Sequence, residues 1–165
     1  MSTVKERIAK VFTANAEGIR AAAEMIRAGG CVAFPTETVY GLGADALQGG
    51  AVGGIFVHKG RPRSDPLIVH TVDAVGASAL VRLEAGERGV FEALSAAFWP
   101  GPLTLVARAT ESVPSAVTAE TGWVGVRVPA HPIAQALLAA AAVPIAAPSA
   151  NRFGHVSPTR AAHVL

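Results

Sequence analysis

Lys59 is the only lysine beyond residue 10, and it stands two positions before Arg61 in the stretch HKGRPRSDP. Gly60 and Pro62 flank Arg61, so the pair reads as two cations on a stiff, solvent-reachable turn. Such a pair suits phosphate or carboxylate, with lysine acting as a point charge and arginine as a bidentate fork. The plain alternative is a solvated basic loop. Three further polar clusters accompany it: PTETVYG at 35–41, GVRVP at 125–129 and APSANRFGHVSPT at 147–159. In the first, Thr36, Glu37 and Thr38 follow a short apolar run; Glu37 is either a general base or a solvated loop carboxylate. In the last, Ser149 and Asn151 between Pro148 and Gly154 are either site residues or ordinary turn chemistry. Other templates fail. Pro35–Tyr40 intervenes between strand and glycines in GLGADA, so the dinucleotide fingerprint is poor, and no Walker motif occurs. No His/Cys set has metal-ligand spacing, and Ser149 lacks a nucleophile elbow. What remains is a basic, hydroxyl-rich pocket suited to a reaction driven by positioning and charge neutralisation, such as attack on a nucleotide phosphate.

These residues must be held by strands and their adjoining loops. Cys31–Phe34 reads as a buried strand that Pro35 stops, leaving the Thr36–Thr38 cluster at its carboxyl end, where open α/β sheets bind ligands. Gly41 and Gly43 are expected to permit positive φ and close backbone approach. Asn15 caps a helix through Ala28, and Gly29 ends it. Residues 51–58 read as a weak helix, and Leu67–Thr71 as a strand followed by a short helix capped by Asp73. A helix over Glu87–Phe98 stops at Trp99-Pro100. Strands follow at Leu103–Ala109 and Val124–Val128, which form a hairpin-like pair, then a helix over 132–142 and a short strand at Ile145–Ala147. Alternation along Val124–Val128 puts Gly125 and Arg127 on one face and the valines on the other. Arg127 is therefore at an exposed edge or aimed into a polar pocket. By the same arithmetic Thr104 opposes Leu103 and Leu105, and His70 shares a face with Ile68. The fold class is α/β, or α+β, around a mixed sheet.

Composition sets the outer limits. The chain has 165 residues, 51% of them hydrophobic and 16% charged, which suits one compact domain. No apolar run is long enough to span a membrane, and residues 1–14 read as a polar lead-in and not a secretory signal. The single cysteine, Cys31, fits a reducing, cytoplasmic setting. A formal net charge of +2 is weak grounds for nucleic acid as a partner.

Five stretches in order resemble the YrdC-like threonylcarbamoyl-AMP synthase family: FPTETVYGLGADA, the K-x-R of HKGRPRSDPLIVH, WPGPLTLV, VGVRVPAHPIA, and the S-x-N of APSANRFGHVSPT. The resemblance implies a twisted open sheet with flanking helices and a large basic concave surface. It implies a nucleotidyltransferase that converts L-threonine, bicarbonate and ATP into threonylcarbamoyl-adenylate and pyrophosphate, towards the threonylcarbamoyladenosine of tRNA. Carried over residue by residue, Thr36, His70 and Arg127 would hold threonine. Lys59 and Arg61 would be catalytic and would neutralise phosphates, while Thr104, Ser149, Asn151 and Ser157 would line the nucleotide side. Arg127 would grip the threonine carboxylate bidentately. Magnesium would arrive on the ATP, held by substrate and water and by no protein ligand. tRNA and other tRNA-modification proteins are further expected partners.

Ser157-Pro158 resembles a helix start, and the chain reaches Leu165 about two turns later. The expectation is a YrdC-like domain over 1–165 lacking its C-terminal part, which as an isolated chain would form a homodimer or bind ATP more weakly than threonine. Two other readings remain at this stage. One is an RNA-binding module for tRNA or double-stranded RNA. The other is an enzyme on the same fold that handles carbamoyl phosphate.

Overall fold

The computed structural model describes residues 9–165. Residues 1–8 of the expected polar lead-in lie outside the described residues, and 9–14 precede the first helix without regular structure. That helix, α1 (Ala16–Arg27), starts as its sequence dictates: the Asn15 side chain accepts a hydrogen bond from the Gly18 amide, and Ala22, Ala23 and Ile26 are buried. Gly29, at φ 83°, ends it.

The strand after α1 differs from expectation. Val32–Pro35 (β1) buries Val32 and Phe34 as expected but is the edge strand of the sheet, and it forms a hairpin with a second strand, β2 (Tyr40–Asp45), over the glycine-bearing stretch where no strand was expected. Pro35 pairs with Tyr40 at the hairpin's end, on an edge strand where proline's missing N–H matters least. The Thr36–Val39 segment is the turn. Neither Gly41 nor Gly43 has positive φ. Gly43 is needed for close approach instead: a Cβ there would lie 2.5 Å from Ile145 Cγ2 and 2.7 Å from Phe34 Cε1. Gly43→Ala is therefore expected to destabilise the chain by about 1–3 kcal/mol through overpacking. At roughly 2–4 °C per kcal/mol for a chain of this size, a thermal melt of the variant checks it.

The remaining elements follow in order: α2 (Gly49–Lys59), β3 (Ile68–His70), α3 (Ala74–Ser78), β4 (Val81–Arg82), α4 (Ala85–Phe98), β5 (Leu105–Ala109), α5 (Ser115–Thr118), β6 (Trp123–Arg127), α6 (Pro132–Ala141) and β7 (Ile145–Ala146). The weak helix at 51–58 is α2, and Asp73 caps α3 through the Gly76 amide. Two short elements, β4 and α5, carry no clear pattern in the sequence. The helix expected to begin at Ser157-Pro158 is absent; only a 3-10 turn over Ala161–His163 forms. The Pro158 carbonyl instead accepts the Tyr40 amide, which ties this segment to the start of β2.

The seven strands make one mixed sheet in the order β1-β2-β7-β3-β6-β5-β4. Only β3 and β6 pair in parallel among the hydrogen-bonded neighbours, with His70 opposite Arg127; β5 and β6 are the expected antiparallel pair. Alternation divides the sheet cleanly. Val69, Val124, Val126, Ala107 and Ala146 point to one face, where α2 and α5 help to cover a single large core. On the other face α1 and α6 cover only the β1, β2 and β7 side, burying Phe34, Ile145 and Ala147. Across β6, β5 and β4 that second face stays open, and it presents Val106, 65% exposed, and Trp123, 42% exposed. Register sets Arg82 opposite Arg108 and Arg108 opposite Trp123, whose ring lies 5.0 Å from the Arg108 guanidinium. The uncovered half of the sheet thus carries Arg82 and Arg108 beside Trp123.

Candidate functional site

Arg127 lies at the end of β6, its side chain buried on the same face as Gly125. It is aimed inward, not at an exposed edge. Its Nε donates to the Gly101 carbonyl at 3.2 Å, and Nη1 and Nη2 both reach Thr38 Oγ1 at 3.3 Å. Nη2 also donates to Glu37 Oε1 at 2.5 Å. The other Glu37 oxygen accepts the amides of Ala130 and His131, at 3.0 and 3.3 Å, just before α6. Glu37 is therefore neither a solvated loop carboxylate nor a suitable base. Burial pushes its carboxyl up, but the Arg127 hydrogen bond and charge, with the amides, outweigh this and hold it below the ordinary carboxylate range.

Thr36 sits at the head of the same turn. Its Oγ1 donates to the Val39 carbonyl at 2.6 Å and accepts the amides of Thr38 and Val39 at 3.2 Å. His70 neighbours Arg127 across β3 and β6 and is buried, with its ring edge-on to Phe34 at 6.2 Å between centroids. His70 Nδ1 has no partner among the described residues. Burial first, then the Arg127 charge, lowers its pKa to about 4, so the ring is neutral at pH 7. The unfolded chain protonates this histidine near pH 6.5 and the folded chain only near 4. Its contribution to stability is thus full above about 6.5 and is lost as pH falls towards 4. Between pH 7 and pH 5 the loss should be roughly 2 kcal/mol. His70→Gln should flatten that part of a urea-midpoint profile.

The second group centres on Lys59. It is the last residue of α2, followed by Gly60 in a left-handed cap, and it is buried. This corrects the expectation of a solvent-reachable turn: the helix end carries the side chain inward. Its ammonium donates to the Ser149 carbonyl at 2.5 Å and to the Asn151 carbonyl. The Phe153 amide returns a bond to the Lys59 carbonyl. Burial, then the charge of Arg61, lowers the Lys59 pKa. An ammonium has three hydrogens; two are taken, and the third has no acceptor among the described residues. Arg61 is half-buried, bonded to Asp65 and the Pro66 carbonyl at 3.2 Å each, and lies 6.0 Å from the Phe153 ring. Arg61 Nε and Asn151 Oδ1 are buried without partners.

Gly41 joins the two groups. It bridges to Ser149 on one side and pairs with Phe34 on the other, and Phe34 touches His70. A Cβ on Gly41 would lie 3.3 Å from Ala147 Cβ, so little room separates them. Thr104 lies just ahead of β5, where continuing the β5–β6 register sets it opposite Arg127 on the same sheet face, with its Cγ2 3.1 Å from the Cβ position at Gly125. Ser157 is exposed, beside the Pro158 that binds β2. Thr38, already placed in the Thr36–Thr38 cluster, grips Arg127 together with Gly101, which was not foreseen, nor was Phe153, which faces Arg61. The T-E-T triplet was the available signal for Thr38; Gly101 acts through its carbonyl, and no sequence pattern marks that.

Among the described residues, the buried cations Lys59 and Arg127 and the unpartnered atoms of Arg61, His70 and Asn151 belong to an α/β domain whose sheet is open on half of one face. The Sua5/YciO/YrdC family model, described as telomere recombination, matches residues 24–165, and the chain belongs to that family. It is 52% identical to the threonylcarbamoyl-AMP synthase of Pyrococcus abyssi over 88% of this chain and 42% of that protein. It is 45% identical to the enzyme of the same name in Bacillus subtilis, over 93% of this chain and 44% of the relative. The chain thus spans under half the length of these two curated relatives. Among solved structures, P. abyssi Sua5 complexed with L-threonine superposes with a TM-score of 0.86 and 49% identity, over 96% of this chain and 44% of that one.

Proposed function

We propose that this domain binds L-threonine and ATP and forms threonylcarbamoyl-adenylate and pyrophosphate, with bicarbonate supplying the carbamate carbon. The observation that carries the reading is the buried Lys59 ammonium, two hydrogens spent on the Ser149 and Asn151 carbonyls and one left over. Likeness to a threonine-complexed relative over 96% of the chain supports it. The threonine amine condenses with bicarbonate to a carbamate with loss of one water, the carbamate oxygen attacks the α-phosphate, and the bond to the β-phosphate breaks to release pyrophosphate. Lys59 and Arg61 offset the negative charge that gathers there, a task of positioning and electrostatics. Neutral His70, with Thr36 and Arg127, would hold the amino acid; Thr104, Ser149, Asn151 and Ser157 would face the nucleotide. The Lys59 and Arg61 cations suit phosphates and repel a bare divalent ion, and the Ser149 and Asn151 carbonyls that could ligate one are already taken by the Lys59 ammonium. Magnesium would therefore enter on the triphosphate as part of the substrate. The product would feed tRNA modification in the cytoplasm, with tRNA-modification proteins as partners.

Pyrophosphate release by this chain should require threonine, bicarbonate and ATP together. Release that ignores threonine, or that proceeds equally with carbamoyl phosphate, overturns the reading. Tight RNA binding with a steep salt slope and no adenylate would favour an RNA-binding module instead.

A further inference from the structure

Arg127 has five N–H hydrogens, and the fold occupies four of them. Nε serves Gly101, Nη2 serves Glu37 and Thr38, and Nη1 serves Thr38. One Nη1 hydrogen remains without a protein acceptor among the described residues. A bidentate grip on a carboxylate needs two parallel donors, and this arginine cannot offer them while Glu37 and Thr38 hold it. Glu37 in turn does not depend on Arg127 alone, because the Ala130 and His131 amides anchor its second oxygen. A ligand carboxylate approaching Arg127 therefore meets an arginine fixed from behind and half neutralised, not one free to swing.

We propose that Glu37 is a positioning residue of the amino-acid site: it locks Arg127 against the start of α6 so that a single Nη1 hydrogen meets the substrate carboxylate. The proposal rests on the adenylation reading above and replaces the bidentate grip expected from sequence. Glu37 touches no substrate in this scheme. It acts by removing the freedom of the guanidinium, so that the cost of ordering it is met on folding and not on binding. It also lowers the pull on any carboxylate, which leaves discrimination to geometry more than to charge.

The test uses the full 165-residue chain and two variants, Glu37→Ala and Glu37→Gln, with thermal melts to check folding. Side-chain NMR of Arg127 reads the lock without any need for activity. The wild type should give separate, slowly exchanging Nη signals, and Glu37→Ala should merge them. In kinetics, Glu37→Ala should raise the threonine KM at least tenfold while the ATP KM stays within twofold and kcat within threefold. Glu37→Gln should recover part of the threonine KM, because its amide oxygen can still accept from Arg127 while its NH2 faces the Ala130 and His131 amides. Arg127 signals unchanged by Glu37→Ala overturn the lock. A threonine KM unchanged in both variants overturns the recognition role. Equal rises in both KM values with a lowered melt reduce Glu37 to a fold-holding residue and overturn it as well. A wild type with fixed Arg127 signals but no threonine-dependent adenylation overturns the adenylation reading, and the recognition role with it, while leaving the lock in place.

Discussion

Lys59→Ala should lower adenylate formation at least tenfold, about 1.4 kcal/mol of transition-state stabilisation, and should also loosen the loop that carries Ser149 and Asn151. The two effects share one cause. The ammonium is the donor for both loop carbonyls, so its removal deletes a charge from the site and two bonds from the fold. Leaving those carbonyls to water or to nothing costs about 1–3 kcal/mol, with the smaller figure favoured because Ser149 and Asn151 are only half-buried. Lys59→Ala is therefore not expected to leave the structure untouched. Pyrophosphate release, thermal melting and proteolysis near residue 152 should all change together. Lys59→Arg separates the causes: it keeps a positive charge but cannot fit a compact ammonium's geometry between two carbonyls. Activity near wild type in Lys59→Ala would remove Lys59 from the chemistry, whereas activity retained only in Lys59→Arg would assign the effect to the charge and not to the loop bonds.

The second large effect is expected at Arg127. Arg127→Leu leaves the Gly101 carbonyl without its donor and Glu37 with only the two amides. Breaking a buried pair by deleting one partner costs about 3–5 kcal/mol. Glu37 keeps its amides and its side chain is 22% exposed, so about 2–4 kcal/mol is the better expectation. At roughly 2–4 °C of Tm per kcal/mol, the melt should move by several degrees or more, and threonine binding should fall at least tenfold. Arg127→Lys keeps a cation beside Glu37 but cannot serve Gly101 and Thr38 as well. It should recover part of the stability and little of the threonine binding. A calorimetric threonine titration beside a thermal melt reads both. Full threonine affinity in Arg127→Leu would show that the arginine serves the fold alone.

Local patterns in the chain located most of the elements, because capping and periodicity are short-range physics. Asn15 and Asp73 bind their own helices' amides, and alternation along β6 was enough to send Arg127 to the face opposite the valines. The same reasoning failed at β2. Alternation there involves glycine and alanine, which carry little hydrophobic signal, and the hairpin is held by packing of Phe34 and Ile145 against Gly43. It failed again at Ser157-Pro158, where a local helix-start signal lost to a hydrogen bond from Tyr40, far away in sequence.

The sequence by itself determined which chemistry was available: one isolated lysine beside an arginine, an arginine in a strand, hydroxyls and an amide after prolines, and no metal-ligand spacing. Five motifs in order were also enough to point to the family. Only the tertiary structure decided what each cation is free to do. Lys59 lies 90 residues from the Ser149 carbonyl it binds, and Arg127 lies 90 residues from Glu37. Contacts of that separation depend on how the strands are ordered and how α2 ends, and no local propensity encodes either. Desolvation follows from the same packing, so the lowered pKa of His70, like the spent hydrogens of Arg127, exists only once the sheet has closed around them.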